Sequence, residues 1–326
     1  MNRVFIALLI AASIAGCSSN TPSTQTQPKF KVALLTPSSV NDSGWSALAY
    51  DGLMGIKQEL GAEVNNVVAA TPQERRDAMR SYAQQGYNLV IGHGYEYNQD
   101  GIEIGPDFPK TVFVSSSGTK TAPNVGTFRF YLEQGMYLLG MTAAKMSKTG
   151  VIGMVGGPEV PSIESTFVGF EAGAKSVRPD IKVLKAYTGS NDDVNKAKQQ
   201  TLALIDQGAD FIIHQTNAAA GGVFEACKER QIFAFGTNSD QTSAAPDTVL
   251  ASAVIIAKPA FIQLAKEVRA GTYKGEVRLV GMDVGAIGIA WNPALKPRVP
   301  KEVLDMVADA ESKMKSGALV APKNEF

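Results

Sequence analysis

The groups best suited to holding a small molecule are an indole, two imidazoles, a phenol and several hydroxyl and amide side chains that follow apolar runs. Trp45 ends the polar loop Thr36-Pro37-Ser38-Ser39-Val40-Asn41-Asp42-Ser43-Gly44, where a helical pattern begins. An indole there presents a rigid flat face that can stack on a planar or sugar ring, beside helix-terminal amides that lack partners within the helix. Asp42 can cap that helix or accept from a ligand. His93 and Tyr95 follow the run Leu89-Val90-Ile91, and Ser116 and Ser117 follow Thr111-Val112-Phe113-Val114. His214 and Asn217 follow Phe211-Ile212-Ile213 and would supply the wall opposite Trp45. The chain has two histidines, and both stand at such run ends. Each of these residues also has a plain structural use: Trp45 in the core, Asp42 as a cap, the histidines as satisfied polar groups, the serines in turns.

That chemistry is stacking and hydrogen bonding rather than bond making. No Gly-x-Ser-x-Gly elbow and no phosphate loop of the Walker type occurs, and Gly156-Gly157 and Gly221-Gly222 lack the partners such loops need. His214 could act as a base, but the sequence sets no nucleophile beside it. With two histidines and two cysteines a zinc site is poorly supported, so neither metal nor cofactor is expected. Basic and acidic residues balance at 31 each, which gives no electrostatic case for a nucleic-acid partner. Binding without catalysis is the expectation.

The elements that must position these groups alternate between β-rich apolar runs and amphipathic helices. Val32-Ala33-Leu34-Leu35 leads to a helix over residues 45–60. Thr71-Pro72-Gln73-Glu74 reads as an N-cap, a proline at the first helical position and a capping-box glutamate, with that helix ending at Gly86. The order then recurs: a strand at Val151-Ile152-Gly153-Met154-Val155, a helix over residues 163–175, a strand over 182–187, a helix ending at Gly208, and strands at Phe211-Ile212-Ile213 and Ile232-Phe233-Ala234-Phe235. Gln85-Gly86-Tyr87-Asn88-Leu89-Val90-Ile91 is echoed by Gln207-Gly208-Ala209-Asp210-Phe211-Ile212-Ile213. Helix-Gly-strand junctions are common, but the matched order on both sides favours duplication. Such alternation implies parallel sheets covered by helices, with ligands beyond the strand C-termini. Two such units facing each other would form a clamshell.

The first residues carry a different kind of signal. Asn2 and Arg3 precede an apolar run over residues 4–14 and then Ile14-Ala15-Gly16-Cys17. The run is too short to span a bilayer, which takes roughly 20 apolar residues, and it fits a secretory signal. The small pair before Cys17 resembles the lipobox of bacterial lipoproteins, which implies cleavage before Cys17 and acylation of its thiol; the alternative is an ordinary signal peptide with an incidental cysteine. Residues 18–27 are mostly Ser, Thr, Asn, Gln and Pro and read as a flexible tether. After Cys17 only Cys227 remains, so the mature body has no internal disulfide.

Several segments together carry a family resemblance. Asp42-Ser43-Gly44-Trp45-Ser46 resembles the Asp-x-x-Phe-Asn segment of the basic membrane protein (Bmp, or Med) lipoproteins. These are substrate-binding proteins of ABC transporters, several of which bind purine nucleosides or related bases. Gly94-Tyr95-Glu96-Tyr97 is similar to the family's Gly-Phe-x-Phe after a strand, and Glu133-Gln134-Gly135-Met136-Tyr137-Leu138-Leu139-Gly140 to its crossover segment. Phe235-Gly236-Thr237-Asn238-Ser239-Asp240-Gln241 resembles Gly-x-Asp-x-Asp-Gln. The resemblance implies a fold of the periplasmic-binding-protein type I: two doubly wound parallel-sheet lobes joined by a multi-strand hinge. It implies that Asp240 accepts hydrogen bonds from a ligand diol, a task suited to an ionised carboxylate, and that Trp45 replaces the family's stacking phenylalanine. Ser46 and Asn238 depart from the pattern, and where the family's lysine would fall stands Ile255, with Lys258 three residues on and expected to point elsewhere, so a free purine or another flat heterocycle stands beside a nucleoside.

The expected organisation is a signal peptide over 1–16, a lipidated cysteine and tether over 17–28, and two lobes. The N-terminal lobe would take 29–129 plus about 253–282, and the C-terminal lobe 130–252 plus about 283–326. Hinge crossings are expected near 129–133, 252–258 and 281–285. The expected partners are a purine nucleoside or base, an ABC transporter permease, and the membrane through the lipid, with the protein a monomer in the cell envelope. A sugar-binding protein, or a sensor or surface antigen on the same fold, is the alternative.

Overall fold

A computed structural model describes residues 29–41 and 44–325. Cys17, the leader and tether, and Asp42 lie outside the described residues.

The first half of the body runs β1 (Lys31–Thr36), α1 (Trp45–Leu60), β2 (Glu63–Val68), α2 (Pro72–Gln84), β3 (Leu89–Gly92), α3 (Glu96–Ile104), β4 (Val112–Ser115) and β5 (Val125–Phe130). After α4 (Glu133–Met146) the second half repeats the plan with β6 (Val151–Gly156), α5 (Pro161–Val177), β7 (Lys182–Tyr187), α6 (Val194–Asp206), β8 (Phe211–Gln215), α7 (Ala220–Glu229), β9 (Phe233–Asn238) and β10 (Val249–Ile255). The chain closes with α8 (Ala257–Ala270), β11 (Val277–Val280), β12 (Ile287–Trp291) and α9 (Lys301–Lys315).

Two six-stranded sheets result, with the orders β11-β5-β4-β3-β1-β2 and β12-β10-β9-β8-β6-β7. Leaving aside β11 and β12, the two orders are the same, strand for strand, which is the duplication suggested by the paired Gln-Gly junctions. Among the described residues every pairing in the first sheet is parallel, and in the second only β10 with β12 is antiparallel. Parallel strands with helices on both faces are buried on both sides, and this is why β3 (LVIG) and β8 (FIIHQ) are buried throughout rather than alternating.

Local sequence explains the element ends. Thr71 and Glu74 form the capping box, with Glu74 N–H donating to the Thr71 hydroxyl at 3.3 Å and Thr71 N–H to the Glu74 carboxylate at 2.9 Å. Helices α2 and α6 end in glycines with φ of 75° and 101°, at Gly86 and Gly208, where an L side chain is disfavoured.

The chain passes from the first sheet to the second between β5 and α4, returns between β10 and α8, and crosses again between β11 and β12. Helix α8 packs against α1 of the first lobe, so the excursion after β10 completes that lobe. In each sheet the strand order reverses beside the first strand of the repeat: between β1 and β3, and between β6 and β8. The loops there diverge to opposite faces and leave a crevice beyond the strand ends.

Candidate functional site

A cavity of about 800 Å³ lies between the two lobes, within the roughly 300–1,000 Å³ typical of small-ligand sites. Its walls come from the loops after β1, β3 and β4 on one side and after β6, β7, β8 and β9 on the other. Both topological switch points therefore open into the same space.

On the first lobe, Trp45 lines the cavity at the start of α1. Its ring stacks on His93, with centroids 3.8 Å apart and planes at 23°, and meets Phe130 edge-on at 6.4 Å. The indole N–H donates to the His93 carbonyl at 3.2 Å, and His93 Nε2 lies 2.9 Å from the Trp45 carbonyl. His93 Nδ1 lies 2.8 Å from the Ser116 hydroxyl, so the imidazole is held at both nitrogens. One face of the indole is thus fixed by a fully buried histidine, and stacking on the remaining face costs little further ordering. Tyr95 lines the same wall and is 67 % exposed. Ser117 lines it too, and Ser115 bridges back to the Ser117 carbonyl at 2.8 Å.

On the second lobe the wall is rich in amides: Asn191, Gln215, Asn217 and Asn238. The Asn238 amide donates to Gln215 Oε1 at 3.3 Å. Behind them His214 is 1 % exposed, with Nε2 2.8 Å from Gln241 Oε1 and Nδ1 accepting the Thr216 N–H at 3.3 Å. Burial, opposed weakly by the Gln241 bond, lowers the His214 pKa to about 4, so this imidazole is neutral near pH 7. Four non-glycine residues among those described have positive φ, and three of them line this cavity: Ser117 at 131°, Asn217 at 48° and Asn238 at 67°. Such backbone costs energy and persists where the surroundings enforce it, a habit of binding sites.

The floor carries charge that is already engaged. Arg129, at the end of the first lobe's β5, pairs with Glu133 at the start of α4 and donates to Ser165 and to the Asn324 carbonyl, each at 2.8 Å.

The structure thus brings Trp45, Tyr95, Ser117 and Asn217 to one cavity. His93 and His214, expected at its surface, lie behind it and brace the wall. Asp240 is not among the residues that line this cavity: it is exposed on the turn after β9, where its carboxylate accepts the Thr242 N–H at 2.9 Å. The cavity is instead reached by Asn238, two residues earlier, because β9 ends there and its left-handed backbone turns the chain away. Gln215, Asn191 and residues 160–163 also line the cavity and were not singled out from sequence. Strand equivalence between the two repeats would have pointed to them, since residues 160–163 stand after β6 as the Trp45 loop stands after β1.

Among the described residues no cluster of His, Cys, Asp or Glu fits a metal ion, and no helix is long and apolar enough to cross a membrane.

Comparison with known proteins gives a consistent result. The family model described as ABC transporter substrate-binding protein, PnrA-like, matches residues 29–325. The chain is 32 % identical over 296 residues to a purine-binding protein of Brucella abortus, covering 90 % of this chain and 83 % of that one. It is 32 % identical over 232 residues to the ABC transporter nucleoside-binding protein BmpA of Lactococcus lactis, covering 68 % of this chain and 66 % of the other. A crystal structure of a transcriptional activator of the comK gene from Bacillus halodurans superposes with a TM-score of 0.77 at 26 % identity, over 89 % of this chain and 99 % of that one.

Proposed function

This chain belongs to the Bmp family of ABC transporter substrate-binding proteins, and on that premise we propose that its interlobe cavity captures a purine nucleoside or a related base for import. The family is one of solute-binding proteins rather than enzymes, and the two-lobed parallel-sheet fold is that of periplasmic binding proteins. The observation that carries the ligand reading is Trp45, a flat wall braced by His93 and facing a rim of amides across the cleft. A planar heterocycle stacks on the indole, while its edge heteroatoms find both donors and acceptors in Asn217, Gln215 and Asn238. The names of the Brucella and Lactococcus relatives support the same class.

In this reading the protein is exported, processed before Cys17, and held to the membrane by lipid on that thiol, with residues 18–28 as tether. Closure of the lobes on the ligand presents a surface that the transporter's permease reads.

Mass spectrometry of ligand carried through purification, followed by calorimetry, tests the reading. A purine or purine nucleoside is expected, and Trp45→Ala should weaken its binding about tenfold or more, in line with roughly 1–3 kcal/mol per stacked base. Binding of free sugars alone, with no purine, would overturn it.

A further inference from the structure

Glu96 is a cavity residue that the stacking and amide contacts leave unused. It opens α3, lines the cavity, and follows Gly94 and Tyr95 on the same strand-end loop as His93. Its carboxylate lies so close over Gly94 that a Cβ on that glycine would sit 2.4 Å from Glu96 Oε2. His93, the neighbour of Gly94, holds the indole N–H through its carbonyl, so the carboxylate and the Trp45 ring flank one strand end. Among the described residues, no other side chain donates a hydrogen bond to this carboxylate.

The other charges are accounted for. Arg75 donates to Asp100 at 2.6 Å and to the Ala70 carbonyl at 3.0 Å, and Arg76 also reaches Asp100. Lys120 of the cavity wall donates to Gln99. Arg129 and Glu133 pair with each other on the floor. Among the described lining residues, Glu96 is left as the carboxylate with acceptor capacity facing the cavity. Burial raises its pKa, with Asp100 adding to the rise and Arg75 opposing it. Ligand donors would relieve that desolvation.

Resting on the purine reading above, we infer that Glu96 sets the ligand preference of the cavity by accepting two parallel N–H bonds from a guanine-type edge, on the free base or its nucleoside. An ionised carboxylate is acceptor-only, and its two oxygens match two adjacent N–H donors. Guanine offers a ring N–H beside an exocyclic amine; hypoxanthine offers the ring N–H alone. Adenine places a ring acceptor against the carboxylate, and that unpaired contact penalises it. Glutamine at position 96 would present one acceptor and one donor, the pattern that suits adenine.

The test is calorimetry on the purified full chain and on Glu96→Gln with guanosine, inosine and adenosine and their free bases. Wild type is expected to rank guanine-type ligands above hypoxanthine-type and those above adenine-type, with about tenfold or more between the extremes. Glu96→Gln should erase or invert that order, with a melting temperature close to wild type. A wild-type preference for adenine-type ligands overturns the inference without any variant. So does an unchanged order in Glu96→Gln. Both of those leave the purine reading intact, whereas failure of every purine to bind wild type removes that reading and this inference with it.

Discussion

At the scale of residues, the wall of the cavity is separate from what stiffens it. Trp45 faces the space while His93 stacks beneath it, and Asn217 and Gln215 face it while His214 is buried behind them. Asn238 and Asp240 are separated in the same way by the end of β9, one lining the cavity and the other exposed. Asn238→Ala is therefore expected to weaken ligand binding about tenfold, the loss of a good buried hydrogen bond, while Asp240→Asn changes it less than about twofold. Titration calorimetry on the two variants checks this; the reverse order would return Asp240 to the site. His214 gives a pH prediction. Its pKa falls from 6.5 to about 4 on folding, so between these values the unfolded chain binds the extra proton. Stability is then full above about 6.5 and is lost as pH falls toward 4, by on the order of 3 kcal/mol. Urea midpoints from pH 4 to 7 should show this slope in wild type and lose that component in His214→Asn.

At the scale of elements, each strand-helix junction has a local cause and a functional consequence. The helix that begins at Trp45 can start there because β1 ends at Thr36 and leaves a polar loop to reverse the chain. Gly208 ends α6 at φ 101° and feeds Asp210, whose carboxylate accepts the Lys148 and Thr149 N–H groups at 2.7 and 3.1 Å, into the start of β8. The strand that this junction launches ends at His214 and Gln215. Gly208→Ala should cost about 1–2 kcal/mol, since alanine must adopt a backbone that its Cβ disfavours. Urea unfolding measures this, and an unchanged midpoint would show that the junction relaxes without strain. Glycine at the matching place in the other repeat, Gly86, is subject to the same constraint.

At the scale of the molecule, three crossings join two lobes that share one cavity. Arg129 and Glu133 tie the first crossing to α5 through Ser165, and the C-terminal segment lies over it: Ser165 accepts the Asn324 N–H at 2.8 Å, and Tyr131 donates to the Ala321 carbonyl. A ligand that touches both walls gains most from the closed arrangement and shifts the balance toward it by its preference for that form. Small-angle scattering on the purified chain should therefore show a smaller radius of gyration once a confirmed ligand saturates it. No change at saturation would mean that the lobes do not close on it.

The alternation of apolar runs and helices, the capping box at Thr71 and the paired Gln-Gly ends were legible in the chain because they follow from contacts within a few residues. The same is true of the class of the fold, since a recurring β-α pattern leaves parallel sheets as the way to bury both strand faces. Family membership was legible too, through segments such as Asp42 to Ser46 and residues 133–140, whose order along the chain is itself information. Which side chains meet was not. Asn238 lines the cavity and Asp240 does not because of the backbone turn at the end of one strand, and both histidines are buried because other segments close over them. Gln215, Asn191 and Glu96 carry no local mark, since their place in the cavity depends on two sheets formed by residues far apart in sequence. Tertiary packing assigned them, because a cleft is a relation between lobes and no stretch of chain contains both of its walls.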